Sequence, residues 1–494
     1  MASPLARSLF SAFRRPELPH IIQGGMGVGV SSWSLAASVA RTGQLGVVSG
    51  IALDLGLARR LQDGDVSGDV RRALAAFPRP ESAARILKEY FRAGGRPAGV
   101  PYRPVPKLAM DQSEEAQELA IVGNFVEVWL AKEGHDGTVG INYLEKVQRA
   151  TPAAAYGAML AGVDVVLMGA GLPREIPHLL NELAEHRRVE LPVDVHGAPA
   201  GTFTVTLDPA PYAAAAQSSL RRPAFLAIVS AHVLAVYLAR DEHIRPDGFV
   251  VEGPTAGGHN APPRNKAAGA DNTGEIFGPR DLADVEKVAA CGLPFWLAGG
   301  YGTPEALRDA IALGAQGIQV GTLFALSRES GLTAEIRDAA MARIGAGTLE
   351  VSTDLRASPT GFPFKVAHLP QTLSDPAVMA ARVRVCDLGY LGTPFLRASG
   401  TVGIRCPAEP VAVYLRKGGT VDETVGRVCL CNALSANVGM GQSRPDGSAE
   451  LPLVTLGDNL EGPRRLAALH PEGWSATTAV EWLLSDTDQH ATAR

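Results

Sequence analysis

Eight times between His20 and Phe324 the sequence passes through one cycle: a short apolar stretch, a turn that in most cases is rich in glycine or serine, then a segment that suits a helix. The stretches are HIIQ (20–23), LGVVSG (45–50), TVGINYL (138–144), DVVLMGAG (164–171), AFLAIVS (224–230), GFVVEG (248–253), PFWLAGG (294–300) and GIQVGTLF (317–324). Continuous rather than alternating apolar runs belong to strands buried on both faces. Strand followed by helix, over and over, makes a parallel sheet with helices outside it. Eight is the count that closes a (β/α)8 TIM barrel, and this α/β architecture is the expected fold. An open doubly wound sheet is the weaker alternative, because GGMGVG (24–29) lacks the GxGxxG spacing and no acidic residue ends the next strand.

A barrel of this kind takes about 250 residues, and the chain has 494. The surplus is expected in three places. A helical insertion follows strand two, about 51–136, where ARRLQDGDVSGDVRRALAAF, ESAARILKEYF and EEAQELAIVGNFVEVWLAK read as amphipathic. A hairpin lies before strand five, about 188–222, with VDV and TFTVTL alternating on either side of GAPAG. Residues 331–494 form a mixed extension packed on the barrel domain, 1–330.

A net charge of −5 with no basic run excludes nucleic acid and anionic membrane surfaces as expected partners. No stretch reaches the roughly 18 apolar residues of a membrane helix. The first twenty residues have arginines but no apolar core, so an N-terminal arm packed on the domain is expected rather than a signal or a mitochondrial presequence. Five thinly spread cysteines suit reduced thiols, hence the cytoplasm. The partner expected is a small-molecule substrate; self-association into a homo-oligomer is left open.

Function in such a barrel belongs at the C-terminal ends of the strands. The last two strands end in AGG, with Gly299 and Gly300, and VGT, with Gly321 and Thr322. Backbone N–H groups converge there on a phosphate, and the hydroxyl of Thr322 adds a donor; the bland alternative is that glycines simply end strands. GGMGVG reads as a wide loop under a flat ring. Asn142 is an amide in an apolar strand, satisfied either by the core or by a ligand. Glu252, at the end of GFVVEG, is costly to bury unpaired; it could receive ribityl-type hydroxyls or pair with an arginine. His259 follows Gly257 and Gly258 a few residues past a strand, where an imidazole can exchange protons near neutrality. His196 and His232 have no comparable placement. Cys429 and Cys431 form C-x-C without a second pair, so packing rather than metal binding is expected. Lys365, in GFPFK, is a cation that the sequence assigns neither to the surface nor to the site.

Taken together, IIQGGMGVGVSS with SLAASVARTGQLGVVSG, VGIN, VVEGPTAGGH, LAGGYGTPEALRDAIALGAQGIQVGTLF and SRESG resemble the nitronate monooxygenase family, formerly 2-nitropropane dioxygenases. That family includes FMN-dependent enoyl-acyl carrier protein reductases. The resemblance spans about Ile21 to Gly331 and implies an FMN-binding barrel. It implies Gly24, Gly25 and Met26 beside the isoalloxazine, Asn142 on the flavin and Gly257 and Gly258 along its edge. It places Gly299, Gly300, Gly321 and Thr322 on the phosphate and gives His259 the catalytic role. The chain departs from the family at Thr255, where an acidic residue is common, and in NAPPR (260–264).

The function this implies is oxidation of alkyl nitronates or similar carbanions with O2. The related alternative is an enoyl-thioester reductase of lipid or polyketide synthesis, with NAD(P)H reducing the FMN. An alternative of another class is a non-catalytic flavin-binding or scaffold subunit.

Overall fold

A computed structural model describes residues 18–213, 219–264, 277–444 and 446–485. The eight apolar runs form one parallel sheet that closes on itself. In chain order the strands are β1 (Ile21–Gln23), β2 (Gly46–Ser49), β3 (Val139–Leu144), β4 (Val165–Gly169), β5 (Val189–Val193), β6 (Phe203–Leu207), β7 (Ala224–Val229), β8 (Gly248–Glu252), β9 (Phe295–Ala298) and β10 (Gly317–Val320). All but β5 and β6 belong to the barrel, where β4 pairs with β7 and β10 with β1. The joint between β1 and β2 is a parallel bridge, Ile22 to Leu45: Leu45 N–H donates to Ile21 O and Gln23 N–H to Leu45 O, each at 3.0 Å.

Alternate residues divide the strands between two apolar layers. Ile22, Val47, Leu167, Leu226, Val250 and Trp296 fill the barrel, while Ile21, Val48, Val166 and Phe249 face the helices. Each such side chain contributes about 1.5–3 kcal/mol by leaving water. The indole N–H of Trp296 donates to Pro19 O at 2.8 Å and Leu18 packs beneath, so the chain entering β1 closes the end of the barrel opposite the strand tips.

Helix Glu114–Lys132, the last of the insertion, packs on helices Trp33–Arg41 and Thr151–Leu160 and supplies the cover needed between β2 and β3. Gly157 makes that contact close, since a Cβ there would lie 2.0 Å from Ile121 O. The outer ring is completed from the far end of the chain. Helix Ala476–Leu484, capped by Ser475, packs on Trp33–Arg41 and Pro304–Ala312, and buried Trp474 donates to Leu323 O at 2.9 Å.

The hairpin before strand five differs from its expected form. Its first arm is Val189–Val193, not VDV at 193–195, and β5 pairs with β6 from Val189↔Leu207 to Val193↔Phe203. The residues after Val193 are drawn elsewhere: His196 N–H donates to Pro394 O and Leu396 N–H to His196 O, both at 2.9 Å. The extension holds two further hairpins, β11 (Val351–Asp354) with β12 (Phe364–Ala367), and β13 (Thr393–Leu396) with β14 (Val402–Arg405). Among the described residues no helix is long and apolar enough to cross a membrane.

Candidate active site

The strand tips surround one cleft of about 1660 Å³, its solvent-open mouth included, and all twelve candidate residues line it. After β1 the chain turns through Gly24–Gly27, held by Ser31: its hydroxyl donates to Gly24 O at 2.8 Å and accepts from Met26 N–H at 2.9 Å. Gly25 passes so close to Asn142 that a Cβ would sit 2.3 Å from the Asn142 Cβ, so the loop lies flat on β3. The Asn142 amide has no protein partner among the described residues and faces the cleft. Ala52 and Ala170, at the tips of β2 and β4, have φ of 55° and 60° and also line it. Non-glycine residues in this left-handed region cost about 1–2 kcal/mol and gather where surroundings force them.

Gly299 and Gly300 follow β9 with φ of 81° and 86°. A Cβ on Gly299 would meet Gly253 O at 2.8 Å, so no side chain can occupy this turn without moving the loop after β8. Gly321 caps the short helix Thr322–Ala325 beside them. The Thr322 hydroxyl oxygen accepts from Gly457 N–H at 2.9 Å, leaving its own proton to donate into the cleft. The Asn459 amide reaches Gly300 O at 3.4 Å. Gly457 and Asn459 belong to the extension, which therefore builds one wall of the glycine pocket.

The loop after β8 is pinned by the extension in the same way. Gly258 N–H donates to Thr455 Oγ1 at 2.8 Å, Lys365 N–H donates to Gly258 O at 2.9 Å, and Asn260 N–H donates to Pro363 O at 2.9 Å. These contacts set the imidazole of His259 edge-on to Phe364, with ring centroids 4.9 Å apart, and bring its Nε2 2.6 Å from Ser358 Oγ. Burial, with Lys146 nearby, lowers His259 to about 4, so the ring is neutral at pH 7. Glu252 has no ion pair among the described residues, so the arginine partner considered from sequence is not there. Burial alone raises its carboxyl to about 7.

Several lining groups carry no individual signal in the sequence. Gln319 of β10 has a buried Oε1 with no hydrogen-bond partner; an amide inside GIQV was the available clue, as it was for Asn142. Tyr390, Leu391, Leu430, Cys431 and Leu434 come from the extension and give the cleft an apolar side. Cys429 packs with Cys386, Cys406 and Cys431 in a small cluster, all four as free thiols. Lys365 is buried outside the cleft, donating to Thr353 Oγ1 at 2.7 Å and paired with Asp458. His196 and His232 stand away from the cleft, and Asn260, Ala261, Pro262 and Arg264 border a smaller neighbouring cavity that shares Glu252.

Residues 162–359 match the family model described as nitronate monooxygenase. That segment runs from β4 into the extension and contains His259, so over it the chain carries the pattern of an oxidoreductase family. No curated protein matches the sequence. Similar solved structures include FabK from Thermotoga maritima, at 16% identity, covering 98% of this chain and 97% of that one with a TM-score of 0.48. Nitroalkane oxidase from Streptomyces ansochromogenes is 17% identical, over 98% and 99%, with a TM-score of 0.47. The enoyl reductase domain of MlnA from the macrolactin biosynthesis cluster of Bacillus amyloliquefaciens is 11% identical, over 99% and 98%, at 0.48. Likeness at this level says nothing of what this chain acts on.

Proposed function

We propose that the cleft binds FMN and that the chain is a flavin-dependent oxidoreductase of nitronate monooxygenase type. The observation that carries this is the buried Gln319 Oε1 without a hydrogen-bond partner, in one cleft with the Asn142 amide and the glycine turns that follow the last two barrel strands. A flat heterocycle with both N–H and C=O groups satisfies the amides, and the phosphate at its far end suits Gly299, Gly300, Gly321 and Thr322. Gly24, Gly25 and Met26 would lie beside the ring, Gly257 and Gly258 would line its edge, and Glu252 would accept hydrogen bonds from the ribityl-type hydroxyls. FMN supplies reversible two-electron chemistry; the protein supplies orientation and electrostatics.

The residues around the reacting position favour a substrate that arrives as an anion. A neutral imidazole held at about 4 is a weak base at pH 7. His259 therefore suits hydrogen bonding to a preformed nitronate, backed by Ser358, better than removing a proton from a neutral nitroalkane. Leu391 and Leu430, with the Tyr390 ring, add apolar surface to the same cleft. That apolar wall also favours a second reading, reduction of an enoyl thioester with NAD(P)H as reductant, because it suits an acyl chain. Anaerobic mixing with NAD(P)H, compared with nitronate turnover under O2, separates the two. Flavin bleaching by NAD(P)H without nitronate turnover selects the second, and a flavin that responds to neither rejects both substrates. Retained FMN with lost turnover in His259→Ala argues against a pure binding subunit.

A further inference from the structure

A second cavity of about 950 Å³, its solvent-open part included, lies where the helical insertion, the segment after β3 and the C-terminal extension meet. It shares one lining residue, Tyr390, with the first cleft. Six basic side chains line it, Arg59, Arg103, Lys107, Arg149, Arg405 and Lys417, against two carboxylates, Asp387 and Glu409. Both carboxylates are engaged: Asp387 with Arg444 and Glu409 with Lys417, each at 2.7 Å. Arg103 pairs with Glu89, outside the cavity. Arg59, Lys107, Arg149 and Arg405 remain without an ion pair among the described residues.

Two of these four are deeply buried. Arg59 is 1% exposed; it donates one terminal N–H to Met440 O and lies 4.8 Å over the Tyr102 ring, but its Nε has no partner. Arg149 is 7% exposed and donates only to carbonyls, those of Leu108, Gly389, Tyr390 and Gly392. Arg59 is near the Asp387 carboxylate but has no ion pair with it; burying a guanidinium without a paired carboxylate is unfavourable, and carbonyl dipoles offset only part of it. Arg405, half-buried, rests between the Phe395 and Tyr414 rings, and Lys107 is exposed at the rim. The missing quantity is negative charge, more than a single carboxylate carries.

We propose that this cavity binds the phosphoryl or diphosphoryl group of a small-molecule ligand. Guanidinium groups converging from several elements match the several oxygens of such a group, and its charge balances cations that the fold leaves unpaired. The charge balance stands without the flavin reading. Only the further placement, a phosphorylated tail here with the reacting end beyond Tyr390 near His259, rests on it.

The test is calorimetric titration of FMN-saturated protein with inorganic pyrophosphate, so that a flavin phosphate already fills the glycine pocket. Saturable binding that weakens with salt is expected, with at least a tenfold loss in Arg405→Gln and a smaller one in Lys107→Gln. Thr322→Val, in the first cleft, should leave it unchanged. Arg59→Gln should abolish binding while raising the melting temperature of the anion-free protein, a result misfolding could not give. Coenzyme A and NADPH, titrated separately, identify the source: the true one binds more tightly than pyrophosphate and loses that advantage in Arg405→Gln. If the protein takes up no FMN, the same titration without it still supports the site when Arg405→Gln, and not Thr322→Val, weakens binding. Absence of saturable binding up to millimolar pyrophosphate, or equal affinity in wild type, Arg405→Gln and Lys107→Gln, overturns the proposal.

Discussion

His259 links stability to proton binding in a way that can be measured without knowing the substrate. In an unfolded chain its imidazole titrates near about 6.5, whereas burial in the cleft wall holds it at about 4. Between those values the unfolded chain binds more protons than the folded one. The contribution is therefore fully present above the unfolded value and is lost as the pH falls towards the folded one. Integrated from about pH 7.5 down to about pH 5, this one group should remove about 2 kcal/mol of stability. His259→Gln keeps a polar side chain facing Ser358 but cannot titrate. Urea denaturation of wild type and variant at the two pH values isolates the difference, since all other groups are shared. The advantage of wild type over His259→Gln should shrink by about 2 kcal/mol at the lower pH. An advantage that is the same at both values would refute the claim that the folded protein keeps this histidine neutral.

Glu252 should behave oppositely. Its carboxyl is raised to about 7, so it favours the fold at low pH and this contribution disappears as the pH rises through that value. Glu252→Gln should gain about 3 kcal/mol over wild type at pH 8 and almost nothing at about pH 3.5 by the same denaturation assay. Thr322→Val removes the hydroxyl proton left free by Gly457. It should weaken FMN about tenfold, the worth of one hydrogen bond to a charged group, in a fluorescence titration, with the circular dichroism spectrum unchanged. Ending the chain before residue 455 removes the strap over Thr322 and the last helix of the ring, with buried Trp474, Val480 and Leu483. The truncated chain should be insoluble or lack a cooperative melting transition, whereas one that melts like the full chain would show the extension to be dispensable.

The barrel was legible because its evidence is local: each strand is a brief apolar run, most of them ended by glycine or serine, and eight of them leave few ways to close. The same strand ends define one face, so residues read at those ends, from Gly24 to Thr322, converge on one cleft. The unread part comes from long-range contacts. Tyr390, Leu391 and the 455–459 strap reach the cleft from irregular segments, and the bonds that hold them, such as Gly258 N–H to Thr455, join residues 197 positions apart. Ser358, the partner of His259, lies 99 positions away in another such segment. The offset in the hairpin has a similar origin. VDV alternates as well as VELPV does, and what decides between them is the pairing of His196 with β13, far along the chain. Lys365 shows that residue type alone does not assign a cation; only Asp458 and Thr353 beside it do.

If the cleft between the glycine loops, Asn142 and Gln319 is a flavin site, the purified protein carries the chromophore. The absorbance spectrum of the purified protein tests it most directly, together with identification of what denaturation releases. Flavin bands and one equivalent of FMN per chain are expected, retained in His259→Ala and depleted in Thr322→Val. A colourless protein that cannot be reconstituted with FMN would contradict it.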